Sequence, residues 1–334
     1  MNVEPAVPTE FKDRKTGLIV FGILIALLGG ICALFVPLML LGQAMSPETK
    51  GVSPNFRTLI PGIVMFAGLA ITFIWLGIGS MMARRWARAL LLVLSWSWLI
   101  VGIVSTAVLV AMIPHFSAIV EAARPPGQPE MPAEARAFLM VIPAIVIVVN
   151  YIVIPAALVF FYGSKHVKAT CEVRDPVTRW TDRCPLPGLG CALWLAFGAA
   201  MMLLAPLAYR GVFPLFGTFV SGAMGSVIYV VFAGFWAYAA WALYRLDSRG
   251  WWIAFAGLCL VAVSSFITYS RHDVSELYRL MGTPEEQIEQ IQKFSFLKGK
   301  AMAWMMLIGM APFLGYLVYV RKFFRKDNPD LGAP

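Results

Sequence analysis

Long apolar runs alternate along the chain with short segments that carry nearly all of its charge. A membrane-spanning helix needs about 20 mainly apolar residues, and eight stretches meet that length: 17–41, 58–82, 89–113, 138–162, 188–209, 217–243, 250–270 and 301–320. Each is expected to be helical, because hydrocarbon offers no partner to a backbone amide or carbonyl. The pattern predicts an all-α, polytopic integral membrane protein with eight transmembrane helices. The opening "MNVEPAVPTEFKDRKTG" lacks the short apolar region and small-residue cleavage site of a signal peptide. The first span is therefore expected to stay in the mature chain.

The pattern is written twice. The second span runs into "MMARRWARALLLVLSW" and the sixth into "WALYRLDSRGWWIAFAG", each with a cationic turn that ends in arginine (Arg88, Arg249) near the next span. After the third span Phe116, Ile119, Val120 and Ala123 recur at helical spacing, and Val274, Leu277, Tyr278 and Met281 do so 158 positions later. "MPAEA" and "TPEEQ" follow, with Pro132 and Glu134 matched by Pro284 and Glu286. The expected organisation is an N-terminal segment (1–16), a four-helix repeat (17–162), a linker (163–187), a second four-helix repeat (188–320) and a basic tail (321–334). Four spans are an even number, so both repeats enter the membrane alike, as parallel repeats about a pseudo-two-fold axis along the membrane normal.

Short amphipathic helices are expected in the outer loops. In the second copy Gly282 ends one helix, while Thr283 as N-cap, Pro284 at the first position and Glu286 at the third form a capping box for the next. Ile288 and Ile291 share one side of it. These helices either lie on the bilayer interface or pack as a lid on the bundle.

Composition removes the soluble alternative. With 60% hydrophobic and 13% charged residues and a mean hydropathy of +0.76, the chain has too little polar surface for a water-soluble globule of its size. The net charge of +9 reflects a bias in the loops. Of the 27 Lys and Arg residues, 17 fall in the N-terminal segment, the turns after the second and sixth spans, the linker and the tail. The positive-inside rule then places both termini in the cytoplasm of a multi-pass protein of the bacterial inner membrane. No loop is long enough to build a nucleic-acid surface. The expected partners are the lipid bilayer and either another membrane protein or a second copy in a homo-oligomer.

Candidate chemistry is sparse. HExxH, GxSxG and Walker-type motifs are absent, and His115, His166 and His272 are isolated in sequence, so no enzyme and no cofactor are expected. His115 and His272 hold similar places at the outer ends of the third and seventh spans. The junction "TCEVRDPVTRWTDRCP" contains Cys171 and Cys184. His166, Cys171, Cys184 and Asp182 offer metal-ligand types, but C-x12-C is no zinc signature. A cytoplasmic location also argues against a disulfide. The segment is expected to be a tethering loop, with Trp180 at headgroup level. Cys32, Cys191 and Cys259 fall inside spans, as small hydrophobes.

All 18 acidic residues lie outside the eight spans, which weighs against carriers that use an intramembrane carboxylate. The polar groups inside are mild. Ser95, Asn150, Ser226 and Ser264 are the candidate polar contacts of the membrane core, and Asn150 is expected to bond to a neighbouring helix. The small-xxx-small run "SGAMGS" at 221–226 predicts close helix packing. Two function classes follow. One is a non-enzymatic protein with an interaction or regulatory role in the membrane. The alternative is a permease or exporter of a neutral or amphiphilic solute, with its pathway between the repeats.

Overall fold

The computed structural model describes residues 11–45, 56–122, 133–285, 288–289 and 300–324. Among them are eight helical spans long and apolar enough to cross a bilayer, the architecture of a multi-pass membrane protein. They are α1 (Lys15–Met45), α2 (Phe56–Met81), α3 (Arg85–Ala122), a composite fourth span, α7 (Leu186–Tyr209), α8 (Gly222–Tyr244), α9 (Ser248–Arg271) and α11 (Lys300–Val320). The fourth span joins α4 (Ala133–Val148), a π-helical turn (Val149–Val153) and α5 (Ile154–Gly163). Between the spans lie α6 (Lys165–Arg174), a 3₁₀ turn (Trp180–Asp182), a hairpin of β1 (Phe213–Leu215) and β2 (Thr218–Val220), and α10 (Val274–Leu280). A 3₁₀ turn (Arg321–Phe324) follows α11.

The class is all-α apart from that hairpin, which the apolar pattern did not reveal. The sixth span was expected to begin at residue 217, but 218–220 form β2 and the helix starts at Gly222. The membrane polar groups hold the hairpin in place. Ser264 Oγ accepts the Phe216 amide, Thr268 Oγ1 accepts the Gly217 amide, each at 2.9 Å, and Tyr229 OH donates to the Val212 carbonyl at 2.9 Å.

α3 also departs from expectation. At 1.5 Å per residue its 38 residues span about 57 Å, nearly twice the ~30 Å hydrocarbon layer. The amphipathic stretch from Phe116 is thus the projecting end of one helix, continuous to Ala122, and not a separate element.

α1 and α2 pack with their backbones close. A Cβ on Gly77 would meet the Gly22 carbonyl at 2.6 Å, and one on Gly22 would meet the Gly77 carbonyl at 2.8 Å. Small residues at such crossings let van der Waals packing drive association where lipid supplies no hydrophobic force. Ser80 Oγ donates to the Leu18 carbonyl at 3.0 Å and lies 2.8 Å from the fully buried Tyr162 hydroxyl, tying α1, α2 and α5. In the fourth span Pro155 has no amide to give, and the Ile154 amide bonds five residues back to Val149. The π turn results.

A small apolar cluster joins α9, α10 and α11 around Tyr269, Val274 and Ala303, beside two larger cores. One joins α1, α2, α3, α5 and α6 around Leu18, Phe73, Leu91 and Tyr162. The other joins α7, α8, α9 and α11 around Leu195, Trp236, Leu243 and Leu317. The halves meet where α7 packs on α2 and α3. Among the described residues no packing of similar extent joins α8 to α1, which a two-fold arrangement of the halves would require.

Candidate functional site

A cavity of about 950 Å³ lies between the halves. α3, α7 and α11 supply most of its lining, with Trp236 of α8 and Leu258 and Val261 of α9. The lining is apolar and aromatic, including Trp96, Trp194, Phe313 and Tyr316. Its polar groups are few. Trp194 Nε1 donates to Ser97 Oγ at 2.6 Å, which in turn donates to the Val93 carbonyl at 2.8 Å. Tyr316 OH donates to the Pro187 carbonyl at 3.1 Å. Gly198 and Gly309 leave open space in the cavity, with no atom within 4 Å of an added Cβ.

None of the four residues singled out from the sequence lines this cavity. Ser95 is buried and donates to the Leu91 carbonyl of its own helix at 2.6 Å. Ser226 is half-buried and donates to the Gly222 carbonyl at 2.9 Å. Ser264 serves the hairpin. Asn150, expected to bond across helices, sits exposed on the outside of the π turn with no partner among the described residues. Ser97 and Trp194 are the groups the sequence reading missed. Their only signal was a serine and a tryptophan on spans from different halves, and no spacing rule connects them.

A second site lies at the basic end, on the linker. The expected tethering loop is instead folded: Val167, Thr170 and Cys171 recur at helical spacing and are the buried face of α6. Asp175 follows, its side chain 1% exposed. It accepts from Arg179 Nη2 at 3.0 Å and from the Arg85 amide at 3.3 Å, with Arg84 Nη1 at 3.6 Å. Burial pushes its pKa up, but the Arg179 and Arg85 hydrogen bonds and the charges of Arg179 and Arg84 outweigh this and hold it below 3.8. The N-terminal segment docks here through Asp13, 2.8 Å from Arg174.

Next to this cluster is a small polar pocket of about 170 Å³. Arg85, Arg88, Lys168, Glu172, Thr181 and Asp182 line it, with Cys171 and Cys184. Both cysteines are free and buried, and burial pushes each thiol up to about 11. At neutral pH they are inert thiols. His166 is exposed and accepts from the Lys12 amide at 3.4 Å. Among the described residues no three His, Cys, Asp or Glu side chains converge as a metal set.

At the far end His272 bridges two elements. Its Nδ1 is 2.6 Å from Glu276 of α10 and its Nε2 is 2.9 Å from the Gly217 carbonyl in the hairpin. These two hydrogen bonds raise its pKa. The His115 side chain and Glu286 lie outside the described residues. Gly282, at φ 76°, closes α10 as expected: its amide donates to Arg279 at 2.8 Å, and the Thr283 amide donates to Tyr278 at 3.0 Å. No protein-family model matches the chain, and comparison with curated proteins and with solved structures finds no match.

Proposed function

We propose that the chain is a non-enzymatic permease or exporter that holds an amphiphilic solute in the groove between two four-helix repeats. The groove of about 950 Å³ carries this reading. That volume is at the upper end of the ~300–1,000 Å³ of small-molecule sites, which are likewise mainly apolar with a few placed polar groups.

The repeat reading is supported by the separate cores and by matching turns. At the end of α2 the Ala83 amide donates to Ser80 and the Arg84 amide to Gly79; at the end of α8 Leu246 donates to Leu243 and Asp247 to Ala242. Ala83 and Leu246 both have left-handed backbones, at φ 53° and 57°. Just beyond each turn, Gly79 meets Ala87 and Ala242 meets Gly250, with the small residues exchanged. The one-sided packing of α7 favours repeats set side by side with an offset.

Gly198→Phe and Gly309→Phe are expected to fold normally, because open space receives each side chain. Uptake of a fluorescent amphiphile by proteoliposomes should fall about tenfold or more, the equivalent of about 1.4 kcal/mol of lost binding. Unchanged uptake in both variants would overturn the carrier reading.

The loop bias supports an inner-membrane orientation with both termini cytoplasmic. Cys171 and Cys184 are too buried to report on it, at 1% and 3% exposure. Val177 is 57% exposed in the same segment. Val177→Cys should resist an impermeant thiol reagent in intact cells and react once they are permeabilised; labelling in sealed cells reverses the orientation.

Asn150 favours a second reading, an interaction or regulatory role through another membrane protein or a second copy. An exposed amide in a span gains by finding a partner helix. If that contact is the function, Asn150→Val abolishes crosslinked oligomers while the groove variants leave activity untouched.

A further inference from the structure

We infer that the polar pocket at the joint binds a phosphate-bearing anion, and that it receives the head of the amphiphile whose chain lies in the groove. Only the second half of this rests on the carrier reading.

Arg88 is the cation left over. Arg85 is paired with Glu172 at 3.7 Å and Asp182 at 3.5 Å, and Lys168 with Glu172 at 3.8 Å. Asp182 also accepts the Arg179 amide at 2.9 Å. The Arg88 side chain has no ion pair or hydrogen bond among the described residues, and its Nε is buried without a partner. The three cations of the lining exceed its two carboxylates by one. Arg88 is half-buried, but its Nε is a buried donor with no acceptor; such a donor is costly, and a bound anion supplies the acceptor.

Thr181 is the independent second group. It is 2% exposed, its hydroxyl has no partner, and it lines the same pocket. Two unsatisfied donors from different elements, the guanidinium on α3 and the hydroxyl on the 3₁₀ turn, therefore border one small space. Lys168 of a third element, α6, also lines it. Cationic and hydroxyl donors together suit an oxyanion, and the guanidinium fork matches phosphate oxygens in pairs. The pocket, about 170 Å³, has room for a phosphate group.

Its position connects it to the groove. Leu186 borders both spaces, and Ala89 of the pocket precedes Leu92 and Val93 of the groove by one helical turn. A cationic pocket thus opens beside one end of a long apolar cavity, the complement of an anionic head on an acyl chain.

Binding to the purified full-length protein in neutral detergent, read by native mass spectrometry, tests this with three probes. These are a short-chain phosphatidic acid, the diacylglycerol with the same chains, and inorganic phosphate. The parent should bind the phosphatidic acid at least tenfold more tightly than the diacylglycerol. Arg88→Gln and the nearly isosteric Thr181→Val should each shrink that preference severalfold and leave diacylglycerol binding unchanged. Equal binding of the two lipids by the parent, or a preference that survives both substitutions, overturns the anion site. Inorganic phosphate binding as tightly as the phosphatidic acid, and lost in Arg88→Gln, keeps the anion site but detaches it from the groove. Diacylglycerol binding that Gly198→Phe does not weaken tells against the groove alone.

Discussion

Alanine at Gly225 is expected to prevent the second half of the protein from packing, although it adds a single methyl group. Gly225 is buried in the first turn of α8. A Cβ there would overlap the Gly211 carbonyl oxygen and stand 2.7 Å from the Val220 carbonyl oxygen. Both obstacles are backbone. Neither can retreat, because the hairpin between them is fixed by the Ser264, Thr268 and Tyr229 hydrogen bonds. The cost should reach about 3 kcal/mol, the upper end for overpacking. Gly234→Ala in the same helix is the control: its Cβ meets nothing within 4 Å, and alanine is the better helix former by about 1 kcal/mol. In thermal unfolding of the detergent-solubilised protein, Gly225→Ala should melt well below the parent and Gly234→Ala at or above it. Equal melting temperatures for the two variants would show that the hairpin does not press on α8.

Asp175→Ala should be the most damaging change at the basic end. It leaves Arg84, Arg179 and the Arg85 amide facing a space with no acceptor. Hydrogen bonds to a charged group are worth about 1.5–3 kcal/mol. Arg84 and Arg179 are about a third exposed, at 37% and 34%, so water recovers part of that loss. A destabilisation of about 2 kcal/mol is expected at neutral pH. The folded-state pKa of Asp175 lies below its unfolded value of 3.8. The stability it contributes is therefore complete above 3.8 and disappears as pH falls through the folded value. Denaturant unfolding should separate parent and variant at pH 7 and bring them together in strong acid. A gap that persists unchanged at low pH would mean that ionisation of Asp175 is not what holds the joint.

The sequence by itself determined the eight spans and the helical class, because hydrocarbon leaves a backbone no other way to satisfy its amides, and because about 20 apolar residues leave a long, unambiguous signal. It also located the turn at Gly282, where a left-handed backbone asks for glycine. It could have located α6, since Val167, Thr170 and Cys171 already stood at helical spacing in a segment taken for a loop.

Only the tertiary structure decided what the polar residues do. In a span every serine has a carbonyl four residues back to bond, as Ser95 and Ser226 do. The residue type therefore does not say which serine meets another element, as Ser264 and Ser97 do. Asn150 lies exposed in the π turn that precedes Pro155, a backbone feature that no periodicity records. The groove and the unpaired Arg88 arise where α3, α6, α7 and α11 converge from distant parts of the chain. A cavity is the volume that packed side chains leave empty, and that is fixed by how helices cross and not by the order of residues along any one of them.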